Sequence, residues 1–152
     1  MSENNFNPNP NIEKYNQIMN AWARHTGHSD NNNYIYSLDV LVKISDGLDD
    51  MLRNMDLIYV MLRGNSFEAK YVKDRLDAVD KIAGSVLGDS RYGPAEQQVA
   101  KDIMMKTSRI RRLLNGEERI DSKGNLKEMI DWVQKYGSNG PIIIPDHDQI
   151  RE

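Results

Sequence analysis

Seven apolar residues, Leu41, Ile44, Leu48, Met51, Met55, Ile58 and Leu62, follow one another at spacings of 3, 4, 3, 4, 3 and 4. That alternation is the seam of a helix lying along another helix at a shallow angle. The run from about Asn33 to Arg63 covers roughly 30 residues, or about 45 Å at 1.5 Å per residue. Leu38, Val42, Leu52 and Val60 widen the stripe, as a helix covered by more than one neighbour requires. Gly47 is its weak point, costing up to about 1 kcal/mol relative to alanine in a helix interior. It marks either a kink or a place where another backbone comes close.

Gly64 and Asn65 then reverse the chain, with Asn65 placed to cap the next helix and Glu68 to reach back as in a capping box. Val72, Leu76, Val79, Ala83 and Val86 continue the seam at spacings of 4, 3, 4 and 3. Two seamed helices joined by so short a link fold back as an antiparallel hairpin, here about residues 33–87.

Three shorter helices are expected beside the hairpin. The first opens at Pro10, carries Ile12, Tyr15, Ile18, Met19 and Trp22 on one face, and stops by Gly27. Another opens at Pro94 and closes at Asn115-Gly116. The last is capped by Asn125, carries Leu126, Met129, Ile130, Val133 and Tyr136, and stops at Gly137. The predicted fold is all-α: a long coiled-coil-like hairpin, three shorter helices and extended N- and C-terminal tails. Residues 1–10, rich in Asn and Pro, form a flexible tail, 11–137 a single helical domain, and 138–152 an extended tail.

Composition narrows the function. The chain has 152 residues, a net charge of −3 and no cysteine. One domain of this size can bury roughly 68–70% of its unfolded surface. A near-neutral balance excludes a protein coated in basic charge for nucleic acid or acidic lipid. Without cysteine there is no disulfide framework, thiolate nucleophile or Cys-based zinc site, which fits a reducing cytosol. No run reaches the roughly 18 apolar residues of a membrane helix, and residues 1–10 lack the basic start and apolar stretch of a signal peptide. A cytoplasmic location follows as an expectation.

Few residues suggest chemistry. His25, His28 and Asp30 make a His-x-x-His-x-Asp cluster, weak candidates for a metal because they straddle a helix stop. His147 stands apart between two aspartates. Residues 30–62 hold six aspartates against Lys43 and Arg53, a solvated face or an attraction for a basic partner. Residues 95–116 run the other way, with Lys101, Lys106, Arg109, Arg111 and Arg112 against Glu96 and Asp102. At about 100° per residue, Lys101, Arg109 and Arg112 share one side of that helix. Phosphate loops, dinucleotide-binding glycines, nucleophile elbows and EF-hand spacing are all missing.

The leading expectation is therefore a non-enzymatic helical adaptor or assembly protein without a cofactor. It self-associates through the seam from Leu41 to Leu62. It docks partner proteins through its tails, with Ile142, Ile143 and Ile144 as contacts and the exposed aromatics Trp22 and Trp132 in support. The alternative is an accessory nucleic-acid-binding protein, of the build of a viral DNA-packaging or recombination factor. It would grip backbone phosphates through the basic helix 94–115 at Lys101, Lys106, Arg109 and Arg112. A metal-dependent enzyme built on His25, His28 and Asp30 ranks last. The nucleic-acid reading predicts binding that collapses between low and moderate salt and disappears in the Arg109→Glu, Arg112→Glu double variant. Retained binding in a filter or gel-shift assay overturns it.

Overall fold

The computed structural model describes residues 10–31 and 33–118, and these residues are helical, with no strand among them. Five helices follow in order: α1 Pro10–Ala23, α2 Leu38–Arg53, α3 Met55–Leu62, α4 Ser66–Leu87 and α5 Pro94–Leu114. The helix expected at residues 125–137 and both tails lie outside the described residues.

The long helix predicted over 33–63 is two helices. It starts late because the Ser37 side chain caps it, accepting the Val40 N–H at 3.1 Å. It breaks at Asn54 for a local chemical reason. The Asn54 side-chain amide donates to the Asp50 carbonyl at 2.7 Å, taking the acceptor its own backbone N–H would use in an α-helix. That backbone N–H donates to Met51 O instead, and Asn54 settles at φ −124°, ψ 32°. The seam continues across the break, since Met55 and Ile58 stay in the core.

Beyond Leu62 the chain turns, and α4 is capped, where the sequence places a turn and a cap. Gly64 adopts φ +73°, which suits a residue without a side chain, and the Asn65 side chain accepts the Glu68 N–H at 3.0 Å. The Glu68 carboxylate accepts from the Tyr15 hydroxyl at 2.8 Å, joining α4 to α1 inside the core. Burial and the negative charge of Glu68 push the Tyr15 phenol well above its ordinary range.

The α5 helix is the centre of the packing. It makes the broadest contacts with both α2 and α4, while α1 covers another side of α2. α3 touches α4 across the 63–65 link, and α2 and α4 each rest mainly on α5. Ion pairs follow the same geometry. Lys106 donates to Ser45 Oγ at 2.7 Å and to Asp49 at 2.9 Å on α2. Arg111 donates to Asp77 at 2.7 Å and also to Asp80 on α4, and Thr107 Oγ1 donates to Asp80 at 2.6 Å.

Trp22 is fully buried, so it is core and not a docking aromatic. It packs against Gly47, where an added Cβ would lie 2.8 Å from the Trp22 Cβ. Of the two roles open to Gly47, close approach is the one the structure shows. Gly47→Ala is therefore expected to destabilise, by about 1–3 kcal/mol for an overpacked contact, although alanine is the better helix former. A denaturant midpoint equal to or above wild type would contradict this packing.

Candidate functional site

Of the positions singled out in the sequence, the seam is the most displaced from its expected role. Leu41, Ile44, Leu48, Met51, Met55 and Ile58 are at most 4% exposed within one chain, and Leu62 is partly buried against the same core. With α1 and α5 packed on α2, these side chains have no surface left for a second copy. They form the core of the chain and not a self-association face.

The basic stripe is divided. Lys106 turns inward to Ser45 and Asp49. Arg109 and Arg112 close on one carboxylate, Glu118, at 3.3 and 2.8 Å. The hydrogen bond from Arg112, aided by Arg109, holds the Glu118 carboxyl below its usual range. The turn that returns Glu118 to α5 uses Gly116 at φ +79° and a 2.8 Å bond from the Glu117 N–H to Arg112 O. Lys101 is exposed and has no ion pair among the described residues.

His25, His28 and Asp30 are not brought together as ligands. The His28 ring stacks on Tyr34, centroids 3.9 Å apart and 8° from parallel. Asp30 pairs with Lys81 at 2.6 Å, and that hydrogen bond lowers its carboxyl pKa. Burial, then Lys43 and Arg24, lower the His25 pKa. Among the described residues no group of three His, Cys, Asp or Glu side chains is placed to hold a metal ion. Ile142, Ile143, Ile144, His147 and Trp132 lie outside the described residues.

An open groove of about 420 Å³ runs between α3, α4 and the end of α5. Tyr59, Leu62, Ala69, Leu76 and Leu114 give it apolar walls, and Arg63, Lys73 and Arg111 stand at its edge. Its size lies in the range of ligand-sized concavities. Arg63 is exposed without an ion pair among the described residues, while Lys73 pairs with Asp77 at 3.3 Å and Arg111 with the α4 carboxylates. Tyr59, Phe67, Met104 and Met105 add exposed apolar surface on the same helices, Met105 being 69% exposed. Sequence reasoning missed the groove because its walls come from residues more than 50 positions apart. The one trace was Leu62, the last seam position, where the stripe reaches the surface.

Compared with protein-family models, with curated proteins and with solved structures, the chain matches none. Among the described residues no helix is long and apolar enough to cross a membrane.

The core assignment of the seam predicts that Leu48→Ala costs about 2–5 kcal/mol, as for a buried leucine. The loss should be the same in dilute and concentrated protein. A loss that shrinks on concentration, with a matching change of mass by light scattering, would return the seam to an interface.

Proposed function

We propose that the protein is a non-enzymatic helical adaptor or assembly protein that docks partner proteins. The observation carrying this reading is the groove between α3, α4 and α5, which combines apolar walls with the Arg63 guanidinium, free of an ion pair among the described residues. Such a surface suits a segment that inserts two or three apolar side chains and offers a carboxylate to the edge. In this reading α3 and α4 are the tip of the antiparallel hairpin anticipated over about 33–87, and the tails, with Ile142, Ile143 and Ile144, add contacts around it. Self-association is assigned to exposed apolar positions such as Leu38, Val42 and Met105, the seam being closed inside the chain. The setting is cytoplasmic.

The nucleic-acid alternative is weaker on this geometry. It asks Arg109 and Arg112 to leave Glu118, and Lys106 to leave Asp49, before phosphate can be held.

Selection of peptides from a random display library on the full-length protein tests the proposal. Peptides with clustered apolar residues next to Asp or Glu should be enriched, and Ala69→Arg, which fills the groove with a charged side chain, should lose them. Equal enrichment on wild type and on Ala69→Arg, or no enrichment at all, overturns it.

A further inference from the structure

Among the described residues, the groove between α3, α4 and α5 is lined by three cations, Arg63, Lys73 and Arg111, and by no carboxylate. Its apolar walls and this edge together suit a short apolar run joined to negative charge. The wider hollow between α1 and α2 suits something else. Polar side chains line it, with charges of both signs, Asp46 and Asp50 beside Lys43 and Arg53.

One segment of the chain itself has the chemistry that the groove accepts. Pro141-Ile142-Ile143-Ile144-Pro145-Asp146-His147-Asp148, outside the described residues, sets three isoleucines just before two aspartates. Pro145 biases the residue before it towards extended backbone. Alternate side chains of an extended segment share a side, which groups Ile142 and Ile144 with Asp146. That makes two apolar anchors for the walls and one carboxylate for Arg63. Residues 1–9 offer no rival, since Phe6 stands alone among asparagines.

The tether fits as well. Leu114 and Asn115 at the end of α5 line the groove, and Glu118, the last described residue, follows closely. Residues 119–141 then lead to Ile142. As the helix its sequence implies, 125–137 advances about 20 Å at 1.5 Å per residue. The rest of that link reaches about 33 Å when extended, enough to come back to the rim. A tether of this length sets an effective concentration on the order of 1 mM. A segment binding at about 0.1 mM when free is then seated about ten to one.

We propose that residues 142–148 of the same chain occupy the groove, so that a partner must displace this tail in order to dock. The inference rests on the docking reading above and adds what controls access to the site. Ile142 and Ile144 sit against the apolar walls, and Asp146 meets Arg63. Once displaced, the tail is free to add contacts around the partner.

Paramagnetic NMR on the full-length protein tests this. The chain has no cysteine of its own, so His147→Cys takes a single nitroxide. The label should broaden the methyl signals of Leu62, Ala69 and Leu114. It should spare Ala95, which lies about 28 Å from Leu114 along α5 at 1.5 Å per residue. Mixing spin-labelled molecules with unlabelled, isotope-enriched ones should give no broadening, because the contact is within one chain. Ile142→Ser with Ile144→Ser should remove the effect, as should Ala69→Arg read at Leu62 and Leu114, and Arg63→Glu should weaken it. Peptides selected on the groove should bind the paired serine variant about tenfold more tightly than wild type, the tail no longer competing.

No broadening at Leu62 and Leu114 overturns the proposal. So does broadening between molecules alone, which would put a second copy's tail in the groove. Broadening that survives both serines, or is undiminished by Arg63→Glu, overturns it too, since residues 119–137 would then bring the label near without seating the tail. The fate of the docking reading is a separate result. Peptides won on wild type and lost on Ala69→Arg, without broadening, mean a groove that docks partners and holds no tail. Broadening as expected, with no peptide bound by the serine variant, means a groove that its own tail fills and no partner enters.

Discussion

The charges that α5 brings into the structure fix which neighbour each of its sides meets. Lys106 reaches back to Ser45 and Asp49 on α2, while the next residue, Thr107, engages Asp80 and Arg111, one turn and a little further, engages Asp77 on α4. The cations thus lie on two sides of one helix, each facing a carboxylate of a different neighbour. With Asp49 39% and Asp77 48% exposed, these pairs add little stability each, and what they fix is the side of α5 that each neighbour meets. Between the two sets of pairs, α5 presses Ile103 and Ile110 into the core. The acidic cast of α2 and the basic cast of α5, which in the bare sequence look like two surfaces seeking partners, meet at the Lys106–Asp49 pair, while Arg111 turns to α4 and Arg109 and Arg112 to Glu118.

Much of the fold was legible because it is written in periodicity and caps. The bounds of α4 and α5, the Gly64–Asn65 reversal and the membership of the core all follow from spacing and from residues such as Pro94 and Asn65. Asn54 shows where that legibility stops. A seam pattern is blind to a side-chain amide that competes with its own backbone for the Asp50 carbonyl, so one expected helix is two. The seam also could not say who covers it. Heptad spacing records that a helix is faced by another helix, and not whether that helix belongs to the same chain.

The sites were less legible than the fold, for a geometric reason. Lys101, Arg109 and Arg112 do share a side of α5, but the pattern could not foresee that the chain turns at Gly116 and returns Glu118 to two of them. The groove is assembled from distant parts of the chain, Tyr59 with Leu114.

The central place of α5 has a consequence for how the molecule is made. Its ties to α2 span 57 and 61 residues of chain, so they close late compared with contacts inside a helix. A ribosome that has finished the seam at Leu62 still has about 50 residues to add before α5 is complete, several seconds at about 5–20 residues per second. Through that interval Leu41, Ile44, Leu48 and Met51 have only α1 to cover them. An uncovered heptad stripe is just what a neighbouring nascent chain on the same message could pair with. For this protein the arrival of one late helix decides whether that stripe becomes a core or a cross-link between growing chains.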